Sequence, residues 1–243
     1  MSPTPKTHVL VTGGAGYIGS HAAVALHEAG YAPVLLDNLH NSEMQAVDGV
    51  RELCGHEVPF HAIDVRDASA LESLFRDCTE AGNPIGAHPS AILGELPLGV
   101  PNNLIPFLTQ AVAGIRGALT VFGGDYPTPD GTCIRDYLHV MDLAEAHVAA
   151  LRWCFDQTTH APVVRAFNLG TGKGASVLNV IQAFERATGE TVPYTMGDRR
   201  SGDVVSIWAD ASRAREELDW TAERSLDEAL ADAWRWQQRL KTR

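Results

Sequence analysis

The residues best suited to chemistry stand near the start of the chain. Gly13-Gly-Ala-Gly16-Tyr-Ile-Gly19 follows the short apolar run His8-Val-Leu-Val-Thr12 and opens an apolar-periodic stretch that stops at Gly30. A strand that feeds a glycine-rich turn into a helix lets the backbone approach a pyrophosphate, whose charge meets free N–H groups at the helix start. Leu35-Leu36-Asp37 closes the next apolar run. A carboxylate at that point, roughly 20 residues past the turn, accepts hydrogen bonds from an adenosine ribose. A free ribose hydroxyl suits Asp37 and a 2′-phosphate would be repelled, so NAD is expected rather than NADP. A third strand over 59–63, then Asp64, then a helix over about 67–79 continue the alternation.

The elements that must hold such a site are only half present. A doubly wound α/β sheet needs two βαβαβ halves, the second continuing the sheet beyond strand one. After Thr79 the chain runs straight into Ala81-Gly82-Asn83-Pro84 and stays irregular, with no second set of strand–helix units. The spacing then predicts a helix over about 104–114 and a strand over 119–122. Next come a turn-rich run from Gly123 to Gly131 and a regular stretch, Ile134-Arg-Asp-Tyr-Leu-His-Val140. Asp142 and Glu145 are read as an N-cap with its reciprocal partner for a helix to about Phe155. A strand over 163–168, a helix capped by Ser176 and stopped by Gly189, and a last helix with the capping box Ser225-x-x-Glu228 complete the reading. The fold class expected is therefore α/β, an incomplete Rossmann-type parallel sheet lacking strands 4–6. Residues 1–80 would form a partial NAD-binding half. Residues 81–243 would form a small mixed α/β substrate-binding part that includes one returning strand at about 163–168.

Composition narrows the partners. The 243 residues carry a formal net charge of −11. Nucleic-acid binding needs a lysine- or arginine-rich face, and an anionic membrane surface needs the same. Neither partner is expected. No run approaches the roughly 20 apolar residues of a membrane span, and the first apolar run is too short for a secretory core region. Cys54, Cys78, Cys133 and Cys154 form no Cys-x-x-Cys pair, which suits free thiols in a reducing cytoplasm. The ten histidines show no metal-ligand spacing, so no metal is expected.

Taken together, these motifs resemble a known family. Thr12-Gly-Gly-Ala-Gly-Tyr-Ile-Gly19 is similar to the loop of extended short-chain dehydrogenase/reductases. Asn83-Pro-Ile-Gly-Ala-His-Pro-Ser90, Gly94-Glu95, Pro101-Asn-Asn-Leu-Ile-Pro106, Phe122 through Val140, Asp198-Arg-Arg-Ser-Gly-Asp203 and Trp208-Ala-Asp210 resemble its UDP-glucose 4-epimerase branch. The resemblance covers 7–80 and 83–240.

It implies an isomerase of galactose metabolism that interconverts UDP-glucose and UDP-galactose through a 4-keto intermediate with tightly bound NAD. It places Gly13, Gly16, Tyr17, Ile18 and Gly19 at the pyrophosphate. Asp37, Asn38, Asn41 and Ser42 would surround the adenosine ribose, with Asp64 and Val65 near the adenine. Asn83, Asn103 and Leu104 would face the diphosphate and sugar, Arg135 and Arg200 would neutralise phosphate charge, Phe122 would flank the uracil, and Asp203 would bind the uridine ribose. A homodimer is also implied, through helices that fall largely in the missing segment.

One part of the pattern is absent. The family's base is a tyrosine with a lysine at i+4 that lowers its pKa and binds the nicotinamide ribose. Here the three lysines are Lys6, Lys173 and Lys241, and none stands four residues after a tyrosine. The missing pair belongs to a segment of roughly 90 residues, three βα units at about 30 residues each, lost between Glu80 and Asn83. No catalytic residue is therefore assigned. Three readings follow: an epimerase with an internal deletion that does not epimerise, a non-catalytic module for NAD and UDP-sugar, or a short enzyme with Tyr17 or His88 as replacement base. Strand one would become a sheet edge unless the 163–168 strand moved beside it, giving the order 3-2-1-7.

Overall fold

The computed structural model describes residues 7–64, 83–156 and 165–241. Val65 and the helix expected over 67–79 lie outside the described residues. The first unit holds the strands and the first helix read from the sequence, together with a helix between its second and third strands that was not expected. β1 (His8–Thr12) pairs parallel with β2 (Ala32–Asp37), and β3 (Phe60–Ala62) adds to the far side of β2. α1 (Tyr17–Glu28) links β1 to β2, and α2 (Met44–Cys54) links β2 to β3. Gly30 follows α1 with φ of +93°, a backbone conformation in which a Cβ is strained.

Among the described residues the second part holds three short strand pairs. β4 (Asn83–Ile85) runs parallel to β7 (Tyr137–His139). β5 (Leu119–Phe122) runs parallel to β9 (Tyr194–Gly197), and β6 (Ile134–Arg135) pairs antiparallel with β8 (Ala175–Ser176). The helices are α3 (Leu104–Val112), α4 (Val140–Asp156), α5 (Val177–Thr188), α6 (Ser212–Leu218) and α7 (Leu226–Lys241).

This arrangement corrects the sequence reading in several places. Asn83–Ile85, expected to be irregular, is a strand, and its parallel neighbour is Tyr137–His139. In the segment expected to return as a strand, Val163 and Val164 lie outside the described residues and Arg165–Asn168 form no strand. Among the described residues β1 pairs with β2 alone, so the order 3-2-1-7 is not formed. Asp142 does not cap a helix. It lies buried in the first turn of α4, where it accepts hydrogen bonds from the Arg224 amide at 3.0 Å and from the Arg224 guanidinium, and Glu145 pairs with the same guanidinium at 2.7 Å. The two caps read further on do form. Ser176 accepts from the Asn179 amide at 3.0 Å, and the Ser225 amide donates to Glu228 at 2.8 Å.

The two parts are packed onto each other through small and apolar side chains. Ala23 and Val24 of α1, Val47 and Val50 of α2, Leu93 from the loop after β4, and Ala144 and Val148 of α4 share one core. A Cβ on Gly49 would stand 2.6 Å from Leu93 Cδ2, so the loop after β4 lies directly on α2. A second core joins α3, α5 and α7, with Phe184 and Trp234 edge to face at 5.8 Å.

Candidate functional site

Two regions of polar and glycine residues emerge from this frame. The first is the β1–α1 turn. Gly13 has φ of +66°, and a Cβ on Gly19 would fall 2.2 Å from the Gly13 carbonyl oxygen, so only glycine lets the helix start lie on the turn. The first N–H groups of α1 have no intrahelical partner by construction, and its first turn carries no acidic residue. The turn is anchored by Asp37, whose carboxylate accepts from the Ala15 amide at 3.1 Å, the Leu39 amide at 2.9 Å and the Ser42 hydroxyl at 2.8 Å. An ionised carboxylate has about four acceptor positions, so one remains for a further donor. Asn38 donates to Asp64 at 3.0 Å and ties the ends of β2 and β3 together, with Asn41 exposed beside them. Gly13, Gly16, Tyr17, Ile18, Gly19, Asp37, Asn38, Asn41, Ser42 and Asp64 thus gather at one end of the three-stranded sheet. A glycine cradle at a helix N-terminus with a ribose-type acid beside it fits a dinucleotide.

The second region is a cavity of about 500 Å³, a size usual for small-molecule sites. Asn83, Asn103, Leu104, Phe122, Arg135, Arg200 and Asp203, the whole expected substrate set, line it. β-pairing explains their convergence. Phe122 ends β5 opposite Gly197 of β9, so the loop that carries Arg200 starts beside it, and the Arg200 guanidinium sits 5.6 Å from the Phe122 ring centre. The loop after β9 is stitched to β6: Ile134 donates to the Val205 carbonyl at 3.0 Å and Ile207 to the Ile134 carbonyl at 3.1 Å. That brings Asp203 between the two arginines, 2.9 Å from Arg200 and 3.8 Å from Arg135. Arg135 is fixed further by donating to the carbonyls of Ile134 at 2.9 Å and Val204 at 2.5 Å. Two guanidinium groups share the one carboxylate of Asp203, and their remaining N–H groups can donate to an anionic ligand.

Among the lining residues to which sequence reasoning gave no role are Glu95, Cys133 and Tyr137. All three stand inside the quoted motif blocks, so the signal was their position next to assigned residues. Burial raises the Glu95 carboxyl, while a hydrogen bond from Asn103 at 2.5 Å acts in the opposite sense. Burial pushes the Tyr137 phenol up to about 12, with Arg135 pulling weakly down. Among the described residues no lysine lines the cavity.

Neither replacement base is well placed. Tyr17 has its phenol raised well above the ordinary value, first by burial and then by Glu95, and its hydroxyl donates to the Gly86 carbonyl at 2.8 Å. His88 is lowered chiefly by burial and shares a hydrogen bond with Ser90 at 2.7 Å. Among the described residues Cys54 and Cys133 are buried and Cys154 is exposed, and none of the three forms a disulfide. Among the described residues no cluster of three metal-ligating side chains occurs, and no helix is long and apolar enough to cross a membrane.

Comparison with known proteins agrees with this geometry. Residues 9–82 match the NAD dependent epimerase/dehydratase family, and residues 88–233 match the GDP-mannose 4,6 dehydratase family. A UDP-glucose 4-epimerase of Yersinia pestis is 36% identical over 333 residues, covering 95% of this chain and 97% of the relative. One from Schizosaccharomyces pombe is 37% identical over 344 residues, with 98% and 96% covered. The 333 aligned positions exceed the 243 residues of the chain by 90, so the relative carries at least that many residues with no counterpart here. The two family matches adjoin at 82–88, next to the junction where the sequence breaks its alternation.

Among solved structures, a UDP-glucose-4-epimerase from Stenotrophomonas maltophila, with bound NAD and formylated UDP-arabinopyranose, superposes with a TM-score of 0.87 at 32% identity, covering 98% of this chain and 99% of that one. The enzyme from Bifidobacterium longum, in complex with NAD+ and UDP, gives 0.86 at 30% identity, with 96% and 98% covered. The chain belongs to the NAD-dependent epimerase/dehydratase family, within its UDP-glucose 4-epimerase branch.

Proposed function

We propose that this chain holds NAD on the β1–α1 turn and a UDP-sugar in the 500 Å³ cavity, and that it does not interconvert UDP-glucose and UDP-galactose. The observation that carries the binding half is the convergence of Asn83, Asn103, Leu104, Phe122, Arg135, Arg200 and Asp203 on one cavity from five separate stretches of chain. Arg135 and Arg200 would meet the diphosphate, the exposed face of Phe122 would stack on the base, and Asp203 would accept from the ribose hydroxyls. The Gly13–Gly19 turn and Asp37 would seat the dinucleotide, which supplies reversible hydride transfer in this family.

The reaction also needs a group that takes a proton from a sugar hydroxyl near neutral pH. A general base works best when its pKa lies near the working pH. The phenol on the cavity, Tyr137, is held at about 12 and stays protonated, and no ammonium among the described residues stands beside it to bring it down. A binding module without turnover is therefore the favoured reading. Titration calorimetry with UDP tests the binding half: heat at micromolar to millimolar ligand is expected, and silence at millimolar UDP overturns it. Incubation with NAD and UDP-galactose tests the other half, with formation of UDP-glucose above background as the contrary result.

A further inference from the structure

Asn103 is the N-cap residue of α3, with the extended backbone usual there (φ −88°, ψ 149°), yet its side chain makes no capping bond. An asparagine at this position can accept a hydrogen bond from the second or third N–H of its own helix, which stabilises the helix by about 1 kcal/mol; Pro106 stands third and has no N–H, which leaves Ile105 as the available donor. Here its amide instead donates to Glu95 Oε1 at 2.5 Å. Glu95 is itself clamped. Trp236 of α7 donates its indole N–H to the Glu95 carbonyl at 2.9 Å, and a Cβ on Gly94 would fall 2.4 Å from Trp236 Cγ. Glu95, Asn103 and Leu104 all line the cavity.

We infer that Glu95 is a positioning residue of the nucleotide-sugar site: its carboxylate holds the Asn103 amide on the cavity wall and away from its own helix. The inference rests on the reading of that cavity as a UDP-sugar site. With Nδ2 committed to Glu95, the Asn103 Oδ1 and second N–H are set in one orientation for the ligand. The N–H groups of Leu104 and Ile105 stay uncovered by this side chain, Pro106 has none, and no acidic side chain stands in that first turn. The carboxylate thus acts on an anionic ligand through another residue. Asn103 and the start of α3 serve the phosphates, so loss of Glu95 should weaken ligands that carry the diphosphate and spare the bare nucleoside.

The experiment compares UDP and uridine binding to wild type, Glu95→Ala and Glu95→Gln by calorimetry and ligand-observed NMR, with circular dichroism to confirm folding. Glu95→Ala should weaken UDP about tenfold, as expected for one lost charge-assisted contact, and leave uridine unchanged. Glu95→Gln retains an oxygen that can accept from Asn103 and should keep most of the UDP affinity. The inference is overturned if Glu95→Ala binds UDP like wild type, if UDP and uridine weaken together, or if the Gln variant behaves like Ala. Wild type that binds neither UDP nor uridine overturns the nucleotide-sugar reading itself, and this inference with it.

Discussion

The Tyr17 hydroxyl donates to the Gly86 carbonyl oxygen across 2.8 Å, joining the dinucleotide turn to the strand end that follows the break in the α/β alternation. Gly86 has φ of +93°, and a Cβ there would stand 3.3 Å from both the Ala229 carbonyl oxygen and His139 Nε2. The bond therefore ties α1 to a crowded point shared by β4, β7 and α7. Replacing Tyr17 by Phe leaves the carbonyl without this donor and should cost about 1 kcal/mol, lowering the melting temperature by about 2–4 °C for a chain of this size. A thermal melt followed by circular dichroism measures it, and an unchanged midpoint contradicts the bridging role.

Arg135 and Arg200 differ in how firmly they are held. Arg135 is 18% exposed and bonded to two carbonyls, whereas Arg200 is 59% exposed, with its guanidinium paired to Asp203 and lying by the Phe122 ring. Exposed ion pairs contribute little and well-placed charged contacts more. Arg135→Ala should therefore weaken UDP about tenfold or more, and Arg200→Ala only about threefold. Calorimetric titration of both variants checks the order, and the reverse ranking contradicts it.

The dinucleotide turn makes a separate prediction. Because a Cβ on Gly19 falls 2.2 Å from the Gly13 carbonyl, Gly19→Ala must push α1 off the turn and should reduce NAD affinity at least tenfold while leaving UDP affinity intact. Equal NAD binding by the variant, measured by fluorescence titration, would place NAD elsewhere.

Acid should unfold the protein through two buried imidazoles. His21 and His139 are both lowered from 6.5 to about 4, first by burial. His21 Nε2 is buried without a partner. In both, the folded pKa lies below the unfolded one, so the unfolded chain binds more protons between the two values. Stability is intact above about 6.5 and declines as pH falls towards 4, by up to about 3 kcal/mol for each histidine at about 1.4 kcal/mol per pKa unit. Denaturant melts between pH 7.5 and pH 4.5 should show a steady loss, and a flat profile would sink this assignment.

The sequence reading succeeded where local chemistry decides the outcome. The Gly13–Gly19 turn, Asp37 and the Ser176 and Ser225 caps depend on neighbours in the chain, and each stands where the pattern put it. It missed elements whose partners are remote. Asn83–Ile85 contains a proline and is only three residues long, so nothing local marks it as a strand until Tyr137–His139 lies beside it. Asp142 and Glu145 stand three apart as a capping pair does, but Arg224, far along the chain, captures both. No helix is expected between Asp37 and the third strand, yet α2 stands there, and its Gly49 admits the close approach of Leu93. The seven cavity residues were legible only as motif fragments. Their meeting depends on β5–β9 and β6–β8 pairing, which no local pattern encodes.

Holding a nucleotide sugar and converting it are separate properties of the chain, so one sample should be asked both questions. Purified protein, supplied with NAD and UDP-galactose, is followed for UDP-glucose by chromatography while UDP binding is titrated on the same preparation. The predicted result is saturable UDP binding with no epimerisation above the protein-free control. Sustained formation of UDP-glucose, lost on Tyr137→Phe, would contradict it and place a working base on the cavity after all.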